Sequence, residues 1–173
     1  MTAYQDLPAD AKVWIYQADR AFTDYEAITI QRKLDAFVAD WTSHKKDVKA
    51  LGQLYYNRFI VLMADERSFR VSGCAIDSSV AFIKELGQTL EVDFLNRFNI
   101  AYIQDDKAYV ADKQQFRELF EQGKIDENTI VFNNLAQTKE EFENNWQIPL
   151  KESWQMKVFA ALQENQVYNY FPN

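Results

Sequence analysis

Residues 57–86 read NRFIVLMADERSFRVSGCAIDSSVAFIKEL, and the fold turns on how this stretch is interpreted. Phe59 to Met63 is an unbroken apolar run with β-branched and aromatic side chains. A short run without polar alternation predicts a strand covered on both faces. Further on, Phe82, Ile83 and Leu86 share one side of a helix expected over 77–86, with Gly87 placed to end it. Asp77 or Ser78 is the expected cap, since both types accept amide hydrogen bonds at a helix start. Between strand and helix lies a polar connection that holds the only cysteine, Cys74. A loop that leaves a buried strand and enters a helix is a common position for a site.

The flanking sequence extends this pattern in both directions. Leu51 to Tyr56 reads as strand, with a junction at Asn57–Arg58, where Asn tolerates a left-handed backbone. Val13 to Tyr16 is a first strand, and residues 1–11 read as loose. Thr23 and Glu26 form a capping box ahead of apolar residues at 30, 34, 37, 38 and 41, which predicts a helix over 24–42. Phe94 to Phe98 suggests a short helical turn. Ile100 to Ile103 and Ala108 to Ala111 suggest a hairpin around Gln104–Lys107. Asp112 with Gln115 and Thr138 with Glu141 mark two further helix starts. A strand is expected at Thr129–Phe132 and a last helix over 151–163. The sum is an α+β fold. Its N-terminal part, 1–98, is a mixed or antiparallel sheet of split-βαβ type with helices on one face. A small α+β subdomain, 99–173, follows and packs on it, with one continuous domain as the alternative.

Composition narrows the function classes. With 47% apolar residues in 173, a core can form without metal or disulfides. The net charge of -7 repels phosphate backbones, which argues against nucleic-acid binding. The densest basic cluster, Lys45, Lys46 and Lys49, reads as a solvated helix end. A single cysteine forms no internal disulfide and fits a reducing, cytoplasmic setting. MTAYQDLPADAK has neither the basic region nor the apolar core of a secretory signal. No apolar run approaches the ~18–20 residues of a bilayer span, so no membrane insertion is expected. Gly52, Gly73, Gly87 and Gly123 stand in no phosphate-loop pattern, and one His with one Cys gives no zinc spacing. No cofactor or metal is therefore expected.

Two functional readings remain. In the first, the chain is a soluble, non-catalytic binding protein for a protein or peptide partner. Its ligand-binding candidates are Asn57, Arg58, Ser72, Cys74, Asp77, Ser78 and Ser79, and the aromatic tail residues Tyr168, Tyr170 and Phe171 are a partner surface. A homodimer is open to it if a sheet exposes an edge. In the second, Cys74 centres either a small-ligand site or a thiol-dependent active site, where it is a nucleophile activated near a helix start with Asp77 and His44 as its catalytic partners.

The segments WIYQADRAFT (14–23), YNRFIVLMAD (56–65), SGCAIDSSVAFIKEL (72–86), TIVFNNLAQTKEEFENNW (129–146) and PLKESW (149–154) resemble an uncharacterised bacterial protein family. Some of its members carry the label "ABC transporter ATPase", an activity that would need a phosphate-binding loop this chain does not spell. Locally, FRELFEQGKIDENTIVF (116–132) is similar to bacterial GYF-like modules, which bind peptides. That resemblance implies a strand–helix–strand shape and lacks the Gly-Tyr-Phe trio that defines the module.

Overall fold

The computed structural model describes residues 2–43 and 46–157. Along the chain the elements are β1 (Lys12–Gln17), α1 (Asp24–Asp40), β2 (Thr42–Ser43), β3 (Lys46–Asp47), β4 (Ala50–Tyr55), β5 (Phe59–Ala64), α2 (Gly73–Leu90), β6 (Ile100–Gln104), β7 (Lys107–Ala111), α3 (Lys113–Glu121), β8 (Ile130–Phe132), α4 (Lys139–Asn145) and β9 (Gln147–Pro149). They form an α+β fold that divides into two compact units, Met1–Asn96 with Asn134–Trp146, and Arg97–Asn133 with Gln147–Asn173.

The first unit is built on a three-stranded sheet of order β1-β5-β4. β5 is antiparallel to both neighbours, with Trp14 opposite Leu62 and Gly52 opposite Leu62. β1 and β4 are therefore parallel to each other, joined through α1 and split by β5, which is the split-βαβ arrangement. All six residues of β5 are buried. Ile60, Leu62 and Ala64 meet Ile30, Leu34 and Val38 of α1 and Ile83 and Leu86 of α2. On the opposite face the Phe59 ring lies 5.2 Å from that of Trp146, just past α4. The apolar run is thus covered from both sides, as its lack of alternation requires.

Local chemistry explains the element ends. The Thr23 side chain accepts the Glu26 amide while the Glu26 carboxylate accepts the Thr23 amide at 2.8 Å, which starts α1. β4 and β5 are joined through Tyr56 and Asn57, both with positive φ (54° and 47°). The Asn57 carbonyl accepts the Phe22 amide at 2.7 Å, which holds this strained turn.

Several expectations need correction. α2 starts at Gly73, not at 77, because the Ser72 hydroxyl accepts the Ala75 amide at 3.3 Å. Gly87 does not end it. The helix continues to Leu90, and Glu91 takes the left-handed cap with φ 53°. A Cβ at Gly87 would sit 2.7 Å from the Val92 carbonyl oxygen, so this glycine permits the chain to fold tightly back on the helix. Residues 94–98 form no helical turn. The Asp93 carboxylate takes the amides of Leu95 and Asn96 at 2.8 and 3.2 Å, a local bonding pattern that competes with helix. Residues 1–11 are not loose as a whole. Tyr4–Asp6 is a 3-10 turn, Leu7 and Ala11 are buried, and Lys139 Nζ donates to the carbonyls of Tyr4 and Leu7 at 3.1 and 3.0 Å. Lys46 belongs to the small β2–β3 hairpin rather than a helix end, and Lys49 lies 3.6 Å from Asp65; Lys45 is outside the described residues. Residues 134–146, placed by the sequence in a C-terminal subdomain, belong to the first unit, where Thr138 bridges Lys12.

The second unit carries a four-stranded antiparallel sheet of order β7-β6-β8-β9. Asp105 and Asp106, with φ 49° and 57°, make the two-residue turn between β6 and β7. α3 is capped by Asp112 and Gln115 in a reciprocal box, and Gly123 follows it with φ 66°. Its core gathers Ile100, Tyr102, Phe116, Ile125, Val131 and Leu150. Leu150–Glu152 is a 3-10 turn, and of the helix expected over 151–163 residues 154–157 are helical while 158–163 lie outside the described residues.

Candidate functional site

Two aromatic side chains set the site. Phe37 on α1 and Phe82 on α2 stack with ring centroids 4.5 Å apart at 14°. Trp41, which ends α1, lies 5.4 Å from Phe37 and 5.8 Å from Trp14. Its indole Nε1 donates to the Ala75 carbonyl at 2.8 Å and so pins the first turn of α2 against the end of α1. Ser43 of β2, 1% exposed, completes the anchorage: its hydroxyl accepts the Ser72 amide at 2.9 Å. Phe37, Trp41 and Phe82 line an open cleft of about 690 Å³ between the two helices.

Ser72, the cap of α2, lines the cleft with Cys74 and Ser78 on α2, and Lys33 and Asp40 line it from α1. On α2 the lining positions 74, 78 and 82 are one helical turn apart, so they share a face. The Cys74 thiol is exposed at this rim. The serines are committed to the backbone: Ser72 accepts the Ala75 amide, and Ser78 donates to the Ala75 carbonyl at 2.7 Å.

The remaining sequence candidates stand elsewhere. Asp77 is exposed on α2 but does not line the cleft, and Ser79 is buried with its hydroxyl donating to the Ile76 carbonyl at 2.7 Å. Asn57 and Arg58 lie in the β4–β5 turn, where Arg58 is buried and its guanidinium reaches the Ala18 carbonyl at 3.4 Å. Ser72, Cys74 and Ser78 are therefore brought together, whereas Asp77, Ser79, Asn57 and Arg58 are not. His44 lies outside the described residues, as do Tyr168, Tyr170 and Phe171.

Sequence reasoning passed over Phe37, Trp41 and Phe82 as cleft residues. Their helical spacing marks them as apolar-face positions, and nothing in that period says which edge of the face stays open. A second cleft of about 470 Å³ lies near the other end of α2, and Phe94 is its one aromatic lining residue.

Among the described residues no three of His, Cys, Asp or Glu gather into a metal-holding group. No described helix is long and apolar enough to cross a membrane. Comparison with known proteins adds no relative: neither a family model, nor a curated protein, nor a solved structure matches the chain.

Proposed function

We propose that this chain is a non-catalytic binding protein, and that the α1–α2 cleft of its first unit receives an apolar or aromatic side chain of a protein or peptide partner. The observation that carries the reading is the stacked Phe37–Phe82 pair lining an open cleft. Its volume falls within the ~300–1,000 Å³ of typical ligand sites, which are apolar with a few placed polar groups. Lys33 and Asp40 supply such groups on one side, and Ser72 and Cys74 on the other. Aromatic anchors of this kind dominate the energetics of protein interfaces. A cytoplasmic setting, whose reducing conditions suit a lone exposed thiol, goes with this reading.

The test is an NMR titration of the full chain with N-acetyl-tryptophanamide and N-acetyl-phenylalaninamide. Amide shifts confined to 33–42 and 72–82, and lost in Phe37→Ala, are the expected result. An unchanged spectrum at millimolar probe overturns the proposal. Alkylation of Cys74 by iodoacetamide decides the rival reading, because a rate well above that of an ordinary free thiol would place a nucleophile at this rim.

A further inference from the structure

The outer edge of β4, an edge strand of its sheet, is occupied by a side chain. Gln31, on the second turn of α1, donates from Nε2 to the Gly52 carbonyl at 2.9 Å and accepts the Leu54 amide on Oε1 at 3.2 Å. β4 pairs with β5 on its other side, so Gly52 and Leu54 are the residues whose backbone groups point outward. One side-chain amide thus supplies a donor and an acceptor where an added strand would supply them. Its second N–H is also used, on Asp35 Oδ1 at 2.9 Å, and this bond fixes the amide's orientation. Gly52 makes the approach possible. A Cβ there would meet Leu34, Val38 and Leu62 at 3.3 Å, tighter than ordinary contact, so a larger residue would have to press these side chains aside for α1 to lie this close to the strand. The other edge of the sheet is bridged by the main chain at the start of β1. Val13 N–H donates to the Gln137 carbonyl at 3.0 Å, and Lys139 N–H donates to the Ala11 carbonyl at 2.9 Å.

We infer that Gln31 is a built-in plug against strand addition. The occupant it excludes is β4 of a second copy of this chain. An edge strand with unpaired amides and carbonyls is a template for another strand. Two copies of one edge can pair antiparallel about a two-fold axis, with each strand offering the same groups to the other. The inference is independent of the cleft between α1 and α2.

The experiment compares the full chain with Gln31→Ala and Gln31→Met by sedimentation velocity over a concentration series, and by hydrogen exchange at the Leu54 amide. Met keeps the length of the stem and so guards against a variant that fails to fold. In both variants Leu54 exchange should accelerate about tenfold, the loss of one backbone-type hydrogen bond, while the amides of Phe59–Ala64 keep their protection. Both variants should dimerise at concentrations where the parent chain is monomeric. Unchanged Leu54 exchange overturns the inference. So does a faster-exchanging Leu54 in a chain that stays monomeric, or a parent chain that already associates through β4.

Discussion

Replacing Gly87 with alanine sets two known effects against each other, and the geometry decides the sign. In a helix interior alanine is favoured over glycine by about 0.8–1 kcal/mol. At this position, however, the new Cβ would lie 2.7 Å from the Val92 carbonyl oxygen and 3.3 Å from Phe94 Cδ2. The oxygen belongs to the main chain, which is held in place because the Val92 amide donates to the Gly87 carbonyl at 2.9 Å. It cannot rotate away as a side chain would. Overpacking of this kind costs about 1–3 kcal/mol, and a rigid neighbour puts it in the upper half of that range. The net effect is a loss of about 1–2 kcal/mol, or about 2–8 °C in melting temperature for a chain of this length. Gly73→Ala is the internal control. It lies at the start of the same helix with nothing within 4 Å of the added Cβ, so the substitution should gain about 0.4–1 kcal/mol by restricting the unfolded chain. Urea and thermal denaturation followed by far-ultraviolet circular dichroism measure both. A Gly87→Ala chain as stable as the parent, or a Gly73→Ala chain that loses as much as Gly87→Ala, refutes the reasoning.

Other expectations follow from the polar contacts. The bidentate Arg67 guanidinium, 2.6 and 2.9 Å away, holds the Asp65 carboxyl down to about 2, and Arg20, at 2.7 and 3.0 Å, holds Glu26 down to about 2. Both folded values lie below the unfolded ones, so their stabilisation is full above the ordinary carboxyl range and fades as pH falls toward about 2. Denaturation midpoints should therefore drop between pH 6 and pH 3, and an Asp65→Asn, Glu26→Gln double variant should show a flatter profile; an equal slope in both chains contradicts the assignment. Ser43→Ala removes the buried acceptor of the Ser72 amide, with an expected cost of about 1–3 kcal/mol and faster hydrogen exchange in the first turn of α2. Loss of stability without any change in that turn would show that Ser43 does not anchor the helix.

The elements with strong local signals were legible from residues alone. Phe59–Met63 has no polar alternation because two layers cover it, and Thr23–Glu26 closes a helix start within four residues. The α+β class followed from these patterns. The beginning of α2 was obscured because Gly73, Cys74 and Ala75 look like a loop until Ser72 is seen as the cap. Membership of residues 134–146 in the first unit rests on the bridge between Lys12 and Thr138 and on the Phe59–Trp146 rings, which leave no trace in the neighbouring sequence. At the candidate site, Ser72, Cys74 and Ser78 stood out as a small polar loop beside a cysteine. Phe37 and Phe82 did not, because an apolar residue that lines a cleft and one that fills a core follow the same helical period.

The discontinuity of the first unit bears on its synthesis. A nascent chain that has delivered Met1–Asn96 still lacks Asn134–Trp146, the segment that shields the Phe59 side of the sheet. Until translation passes Trp146, that apolar surface has no native cover and is open to chaperones or to wrong neighbours. For the same reason, a gene fragment cut near residue 98 would encode an unfinished module however cleanly its last helix ends.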